Sequence, residues 1–372
     1  MVWNGSNDMN RPTSIVIVSL VFAVFADSGW PAALSVSELQ ISSGAISERM
    51  GDFEEAKAHY QKAIDLDPSA QNLLRLGLLA EQMGDLPLAV RSLTRSLSTP
   101  GKHTPAAQVL FRLYIESKND QAALKLAEQF RWTGGTDYCQ VGNRKLNAET
   151  LAFLAMLIHP ERAPCLLTVA KNFTEDGLPT LARLILLTLI EKSDDAALQQ
   201  EATTYLRHRL PMHDVVKLAE SLNIAGYNLQ HTFRAPALAR AVYERAIAID
   251  PKFSWPYHNI GLTYRDEPDV ERFHAWCGKA IAVNPNHWKA QFWFGTAAYR
   301  MKRWDEALAA YRKSVELNPG DPGGYSGIGM TLMNLGQRAD AIPAFQEAVR
   351  LDPTREVDQR VLKGLLEERR GG

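Results

Sequence analysis

The chain has few cysteines, no surplus of charge of either sign and no apolar run long enough to cross a bilayer comfortably. Its 372 residues contain three cysteines, at positions 139, 165 and 277, and none forms a C-x-x-C pair. This spacing excludes a disulfide-rich scaffold and the usual zinc ribbons. Forty-one basic residues balance forty-two acidic residues. We therefore expect no nucleic-acid partner, because proteins that bind its backbone normally carry a basic surplus.

The longest apolar run lies near the beginning of the sequence. Residues Ile15 to Ala26 are almost wholly apolar, follow Arg11 and end on a small side chain. A short apolar stretch behind a cation, closing on a small residue, is typical of a secretory signal. We expect residues 1–26 to be such a signal, 27–36 to be a linker, and the mature chain to be exported, either periplasmic or secreted. The alternative is an uncleaved segment that anchors an outward-facing protein to a membrane.

A period of 34 residues runs through the second half of the sequence. Prolines recur at this interval three times in succession, and small, bulky and glycine positions recur in the same phase. The recurring positions are Pro251, Pro285, Pro319 and Pro353; Ala239, Phe273, Ala307 and Ala341; Tyr243, Cys277, Tyr311 and Phe345; and Gly261, Gly295 and Gly329. So many columns at one period indicate a repeat architecture.

Each repeat is predicted to be a pair of helices. In residues 288–321, the apolar positions around Gly295 share one helical face. A glycine in mid-helix costs about 1 kcal/mol relative to alanine, so we expect Gly295 to allow a neighbouring helix to come close. Residues 302–304 supply the turn, and Pro319 ends the second helix because it lacks an N–H. Such a pair buries its apolar stripe only against its neighbours, so the units are expected to stack.

These columns resemble the tetratricopeptide repeat (TPR) family. The spacing L-G-x2-Y, then A-x3-F, A and P, is matched by Ile260-Gly261-x2-Tyr264 and by Ala341-x3-Phe345, Ala348 and Pro353. A second set follows the leader, with Gly44, Gly51, Ala56, Tyr60, Ala63 and Pro68. The resemblance implies an all-α fold, a right-handed α-solenoid of stacked antiparallel helix pairs. It predicts about three units in residues 37–137, four in 220–355 and a capping helix in 356–372.

Residues 138–219 match the repeat poorly. Their apolar positions are helical in period, so we expect degenerate helical units that continue the stack. A gap that changes the pitch of the superhelix is the alternative. In an exported protein Cys139 and Cys165 are also candidates for a disulfide across this region, and their spacing leaves that open.

We find no residue set in the sequence that indicates catalysis, a cofactor or a metal. P-loop, H-E-x-x-H, G-x-S-x-G and dinucleotide-binding glycine motifs are all lacking. His274 and Cys277 are spaced to share one helical turn, but Cys277 stands in the bulky column that Tyr243 and Tyr311 also occupy. We expect Cys277 to be a small buried apolar residue rather than a metal ligand. The chain is therefore predicted not to be an enzyme.

Aromatic and cationic residues gather on the first helices of the C-terminal units. In TPR folds this helix face lines a concave groove that holds an extended peptide or a partner helix, and aromatic and arginine side chains are typical of binding hot spots. The candidate partner-binding residues are Asn223, Tyr227, Trp255, His258, Asn259, Leu262, Arg265, Lys289, Phe292, Trp293, Thr296, Tyr299 and Arg300. Packing by the neighbouring unit is the alternative role for the same side chains.

The resemblance also shows whether the sequence contains the residues of one known kind of TPR groove, which binds two carboxylates. Chaperone-tail-binding TPR modules hold two carboxylates with lysines, asparagines and an arginine. Asn259 and Lys289 match two of those positions, whereas Asn223, Tyr227 and Trp293 depart from the other three. We therefore expect a non-enzymatic interaction scaffold or assembly factor whose groove binds a protein or peptide. The alternatives are a carbohydrate-binding or enzyme-accessory module and a membrane-tethered co-chaperone.

Overall fold

The structure, a computed structural model, describes residues 34–101, 103–130, 164–175, 179–211 and 213–371. These residues form α-helices joined by short turns, and none of them lies in a β-strand. The all-α prediction is confirmed. The described helices are α1 (Val36–Arg49), α2 (Phe53–Leu66), α3 (Ala70–Met83), α4 (Leu86–Ser98), α5 (Thr104–Glu116), α6 (Asp120–Gln129), α7 (Pro164–Glu175), α8 (Pro179–Lys192), α9 (Ala196–Arg209), α10 (Lys217–His231), α11 (Pro236–Ile249), α12 (Ser254–Thr263), α13 (Val270–Val283), α14 (Trp288–Arg300), α15 (Trp304–Leu317), α16 (Pro322–Asn334), α17 (Arg338–Leu351) and α18 (Glu356–Gly371).

Successive helices pack as pairs, and in six of the described pairs one glycine sets the distance between the two helices. A β-carbon built on Gly295 of α14 would lie 3.1 Å from the ring of Tyr311 on α15, and one on Gly329 would lie 2.7 Å from the ring of Phe345. The same contact joins Gly44 with Tyr60, Gly77 with Leu93, Gly226 with Tyr243 and Gly261 with Cys277. The predicted close approach is confirmed: the glycine column and the bulky column meet inside each of these six units.

The corners between helices follow the sequence signals. Lys302 has a φ of 60° and Gly84 a φ of 78°, so the chain turns through the left-handed region between the two helices of these units. Helices α11, α13, α15 and α17 each end two residues before one of the periodic prolines. The intervening residue is extended, as Asn318 shows with a φ of −136° and a ψ of 81°, because the proline ring disfavours the helical conformation there. The periodic prolines therefore lie at equivalent corners.

Helix α10 also contacts the N-terminal units, which are far away in the sequence. It crosses the turns that end α1, α3 and α5. Ser221 donates a 2.8 Å hydrogen bond to the carbonyl oxygen of Gln82, and Leu222 packs beside Gly51. From α11, the Arg245 guanidinium lies 2.7 Å from an Asp52 carboxylate oxygen. One apolar core accordingly includes side chains from α2 and α3 and from α10 and α11.

An ionic cluster lies at one end of this crossing. Glu81 is buried. One of its carboxylate oxygens lies 2.5 Å from the Arg112 guanidinium and 3.2 Å from the Lys217 ammonium group. Lys217 also lies 3.4 Å from a carboxylate oxygen of Glu116. Next to it, the buried Glu220 carboxylate accepts a 3.0 Å hydrogen bond from the backbone N–H of Thr180 on α8. The cluster joins N-terminal, middle and C-terminal helices.

Several predictions concern residues outside those described. The expected signal at 1–26, most of the 27–36 linker and Cys139 lie there, so neither the leader nor a Cys139–Cys165 disulfide can be compared with the structure. Helices α7, α8 and α9 occupy part of the degenerate region predicted at 138–219. Within the described residues, none of the helices combines the length and apolar character needed to cross a membrane.

Candidate functional site

Twelve of the thirteen predicted groove residues lie on the first helices of three C-terminal units, α10, α12 and α14, and Arg265 lies in the turn that follows α12. Each of these helices packs against the second helix of the same unit through the glycine contact. A different face of each helix is turned toward the first helices of the neighbouring units. The structure divides the thirteen predicted residues by burial. Asn223, His258 and Asn259 are buried; Tyr227 and Arg300 are exposed; and Trp255, Leu262, Arg265, Lys289, Phe292, Trp293, Thr296 and Tyr299 are intermediate.

The buried polar residues join neighbouring first helices. Asn259 donates a 2.9 Å hydrogen bond from its side-chain nitrogen to the Asn223 side-chain oxygen, which connects α12 with α10. His258 is 2% exposed and Asn259 4% exposed. Asn223, His258 and Asn259 are therefore packing residues, which is the alternative role that the sequence left open for them.

A cluster of aromatic rings surrounds His258. Its ring centre lies 4.9 Å from that of His287 and 5.9 Å from that of Trp255. Trp255 also stacks on His287 at 4.7 Å, and the Lys289 ammonium group lies 5.2 Å from the Trp255 ring centre. The His287 ring shares a 3.0 Å hydrogen bond with the Ser254 hydroxyl. Trp255 is thus packed against these neighbours, which is the alternative role that the sequence left open for it.

Burial keeps both histidines neutral. It lowers the pKa of His258 to about 3, and the positive charge of Lys289 contributes to the shift. The pKa of His287 is also held well below its ordinary value by burial, by His258 and by Lys289. The His258 Nδ1 and His287 Nε2 atoms are buried without a hydrogen-bond partner among the described residues. The uncharged rings are suited to packing.

Half-buried side chains on α14 connect the surface to the core. Phe292 lies 5.7 Å from Tyr311, measured between ring centres. The Tyr311 hydroxyl donates a 3.1 Å hydrogen bond to the Thr296 hydroxyl, which itself donates to the Phe292 carbonyl oxygen. Leu262 of α12 packs in a small cluster with Trp293. These contacts fix the orientation of α14 relative to its neighbours.

The accessible part of the site is a row of exposed and half-buried aromatic and cationic side chains on α10, on α14 and in the turn after α12. We call it the aromatic–cation row, and it consists of Tyr227, His231, Arg265, Trp293, Tyr299 and Arg300. The rings of Tyr227 and His231 lie 4.3 Å apart, and the Arg265 guanidinium lies 5.4 Å from the Trp293 ring centre. Tyr227 is 51% exposed. His231 was not predicted from the sequence, although it follows Tyr227 by one helical turn on the same face.

The remaining members of the row lie at its α14 end. Arg300 donates hydrogen bonds to the carbonyl oxygens of Arg265 and Glu267. The Tyr299 hydroxyl accepts a 2.9 Å hydrogen bond from the Asn334 side chain on α16, and its ring meets Trp304 edge-on at 5.1 Å. Asn334 was also missed from the sequence, because its position has no counterpart among the aromatic or charged columns.

Metal-binding geometry is lacking in the part of the chain that the structure describes: no three His, Cys, Asp or Glu side chains there are placed to hold an ion. The predicted role of Cys277 is confirmed, since it is fully buried in the bulky column. Burial raises the pKa of its thiol far above the ordinary value. His274 lies 3.2 Å from a Glu306 carboxylate oxygen instead.

Family models decide the identity of the repeats. Two models, both described as tetratricopeptide repeat, match residues 274–322 in one case and residues 38–70 and 322–355 in the other. The chain contains tetratricopeptide repeats. The matched segments coincide with helix pairs in which the glycine and bulky columns meet, so the all-α arrangement of stacked pairs is a TPR superhelix.

Other TPR proteins resemble parts of this one. Anaphase-promoting complex subunit 3 of Schizosaccharomyces pombe is 28% identical over 108 residues, which is 29% of this chain and 16% of that protein. The chain therefore spans a small part of the length of this relative. Among solved structures, YrrB, a TPR protein with an unusual peptide-binding site, is 17% identical, covering 57% of this chain and 97% of its own with a TM-score of 0.35. A MamA double mutant is 20% identical, covering 41% and 84%, with a TM-score of 0.37.

Proposed function

We propose that the chain is a non-enzymatic scaffold or assembly factor that binds an extended peptide or a helix of a partner protein along the first helices of its C-terminal units. The observation that carries this proposal is the aromatic–cation row, which presents ring faces and guanidinium groups on one side of three adjacent helices. Such side chains dominate the energetics of protein interfaces, because they bury large areas and form directed contacts. The buried hydrogen bond between Asn259 and Asn223 joins two of these helices, α12 and α10.

The test compares the full chain with variants inside and outside the row. Tyr227→Ala and Trp293→Ala each remove a ring from the row. Trp276→Ala on α13 removes a half-buried ring of the same kind from a second helix and serves as the control. Immobilised wild-type chain and variants are incubated with extract of the native cells, and retained proteins are quantified by mass spectrometry. We expect the two row variants to lose specific partners that wild type and the control retain. Equal retention by all four would refute the proposal.

A carbohydrate-binding or enzyme-accessory role is the competing function, because exposed aromatic rings also stack on sugars. The cover that His287 and Lys289 place on Trp255 gives this role less support. A glycan array probed with the full chain distinguishes the two, since glycan signals that disappear in Trp293→Ala would favour the competitor.

We also propose that the chain works after export, on the evidence of the apolar run behind Arg11. The mass of the chain recovered from its native cells tests this. A mature N-terminus near residue 27 supports cleavage and export, whereas an intact leader in a membrane fraction supports the anchor.

A further inference from the structure

The charges along the aromatic–cation row are unequal. Two arginines, Arg265 and Arg300, approach one exposed carboxylate, that of Asp266. Arg265 binds it with two hydrogen bonds, of 3.0 and 2.8 Å. These hydrogen bonds lower the pKa of Asp266, and the charge of Arg300 lowers it further. Two guanidinium groups of the row therefore share one carboxylate, which leaves one positive charge in excess.

The other nearby acid is already paired. The Glu267 carboxylate lies 3.1 Å from the Arg240 guanidinium. Arg300 therefore does not pair with this carboxylate and donates its hydrogen bonds to the backbone carbonyl oxygens of Arg265 and Glu267. His231 faces the same region from α10, where burial and the charge of Arg265 lower its pKa. It is therefore neutral at neutral pH and adds positive charge on acidification. The row together with Asp266 thus carries a net positive charge.

Arg265 is held ready for a ligand. Its guanidinium lies over the Trp293 ring, which restricts its movement, while its side chain remains 42% exposed. A guanidinium whose plane is already fixed loses less conformational entropy when it forms a bidentate pair with a carboxylate. The Trp293 ring next to this guanidinium and the exposed Tyr227 ring on α10 offer apolar contact.

The row also has a length. Neighbouring packed helices lie about 8–10 Å apart, so α10 and α14 are separated by roughly 16–20 Å. An extended chain advances about 3.3 Å per residue, so about six residues span the row. This matches a short extended segment better than a single side chain.

We propose that the row selects an extended segment of a partner protein in which an acidic residue is flanked by apolar ones. The carboxylate binds between Arg265 and Arg300, and the apolar side chains lie against Trp293 and Tyr227. This inference rests on the function proposed above and names the chemistry of the partner. Asp266 competes with the ligand for Arg265, which makes its effect on binding opposite to that of an ordinary structural residue.

The test selects ligands from random peptides, so the partner need not be identified first. A random dodecapeptide library displayed on phage is panned against the full chain, and the affinity of the selected peptides is measured by fluorescence anisotropy. We expect enrichment of Asp and Glu over Lys and Arg, and binding that weakens as salt is raised. Arg265→Gln and Arg300→Gln should each weaken binding about tenfold. Asp266→Asn should strengthen it, because the competing carboxylate is removed.

Controls separate this specificity from the groove itself. Arg272→Gln removes an exposed arginine on α13, outside the row, and should leave affinity unchanged. Circular dichroism melting confirms that each variant is folded. Selected peptides that are neutral or basic, or whose affinity is unaffected by Arg265→Gln and Arg300→Gln, would overturn the acidic specificity and leave the proposed groove intact. Failure to select any peptide, with glycan binding or self-association of the chain in its place, would overturn both.

Discussion

At the scale of single residues, a glycine and a bulky side chain meet once in each of six helix pairs. Gly329 on α16 faces Phe345 on α17, a side chain with no exposed surface. The glycine carries the intrinsic penalty of its flexibility in a helix, about 1 kcal/mol relative to alanine. The close approach of the two helices offsets that penalty, which explains why the column is retained across the units.

Replacing this glycine is expected to destabilise the protein. In Gly329→Ala the new β-carbon would lie 2.7 Å from the Phe345 ring, so the ring or the helix must shift, at a cost of about 1–3 kcal/mol. Gly364 of α18 is the matched control, because a β-carbon there meets no atom within 4 Å. Gly364→Ala should instead stabilise by up to about 1 kcal/mol. Urea denaturation of both variants tests this, and shifts of the same sign would contradict the packing account.

The two buried histidines give the protein a defined acid sensitivity. The ordinary pKa of histidine is 6.5 and that of folded His258 is about 3, so the unfolded chain takes up a proton that the folded chain rejects. Stability is therefore fully present above pH 6.5 and is lost as the pH falls toward 3. The loss from His258 is at most about 5 kcal/mol, since each unit of pKa difference corresponds to about 1.4 kcal/mol.

The measurement is the free energy of unfolding as a function of pH. Wild type is compared with a His258→Gln, His287→Gln double variant, which lacks both titrating rings. We expect the slope between pH 6.5 and 4 to be shallower in the variant, whatever its absolute stability. Identical slopes would show that the rings are not the source of the acid sensitivity.

At the scale of elements, α10 has neighbours on nearly every side. It packs on α11 and α12 as the first helix of a repeat and also crosses the turns of three N-terminal units. The contacts of Lys217 with Glu81 and Glu116 are part of this second role. Because Glu81 is buried, its charge requires partners, and loss of one leaves a desolvated carboxylate less well compensated.

Reversing the charge of Lys217 is expected to loosen the crossing. Lys217→Glu places a third carboxylate beside Glu81 and Glu116 and should lower stability by about 2 kcal/mol, with the melting temperature reduced accordingly. Lys125→Glu changes the same charge at an exposed position of α6 and serves as the control. Differential scanning calorimetry of both variants decides the matter. Equal melting temperatures would mean that the ionic cluster contributes nothing to the contact.

At the scale of the whole molecule, the part of the fold that repeats was predictable from the sequence. The 34-residue period fixed the helix pairs, the turn at Lys302 and the proline corners, because each of these signals is local and recurs. The crossing of α10 was not predictable. The hydrogen bond of Ser221 with Gln82 spans 139 residues of sequence and that of Arg245 with Gly51 spans 194, and such contacts occur once.

The residues of the candidate site were largely predictable from the sequence, but which of them are exposed was predictable only in part. Helical periodicity separated the core stripe of each first helix from the rest, and so identified Arg265, Trp293 and Tyr227. It also included Asn223 and Asn259, which the structure buries against each other. A helical wheel describes one helix and its own partner, whereas burial here depends on how closely the first helices of successive units approach.

Amide hydrogen exchange of the full chain, with and without a peptide selected from the library, shows directly whether the aromatic–cation row binds the peptide. We expect slower exchange in α10, in α14 and in the turn after α12, where the row lies. We expect no change in α11, α13 and α15, the second helices of the same units. Protection confined to those second helices or to the N-terminal units, with the row unaffected, would show that the peptide binds elsewhere.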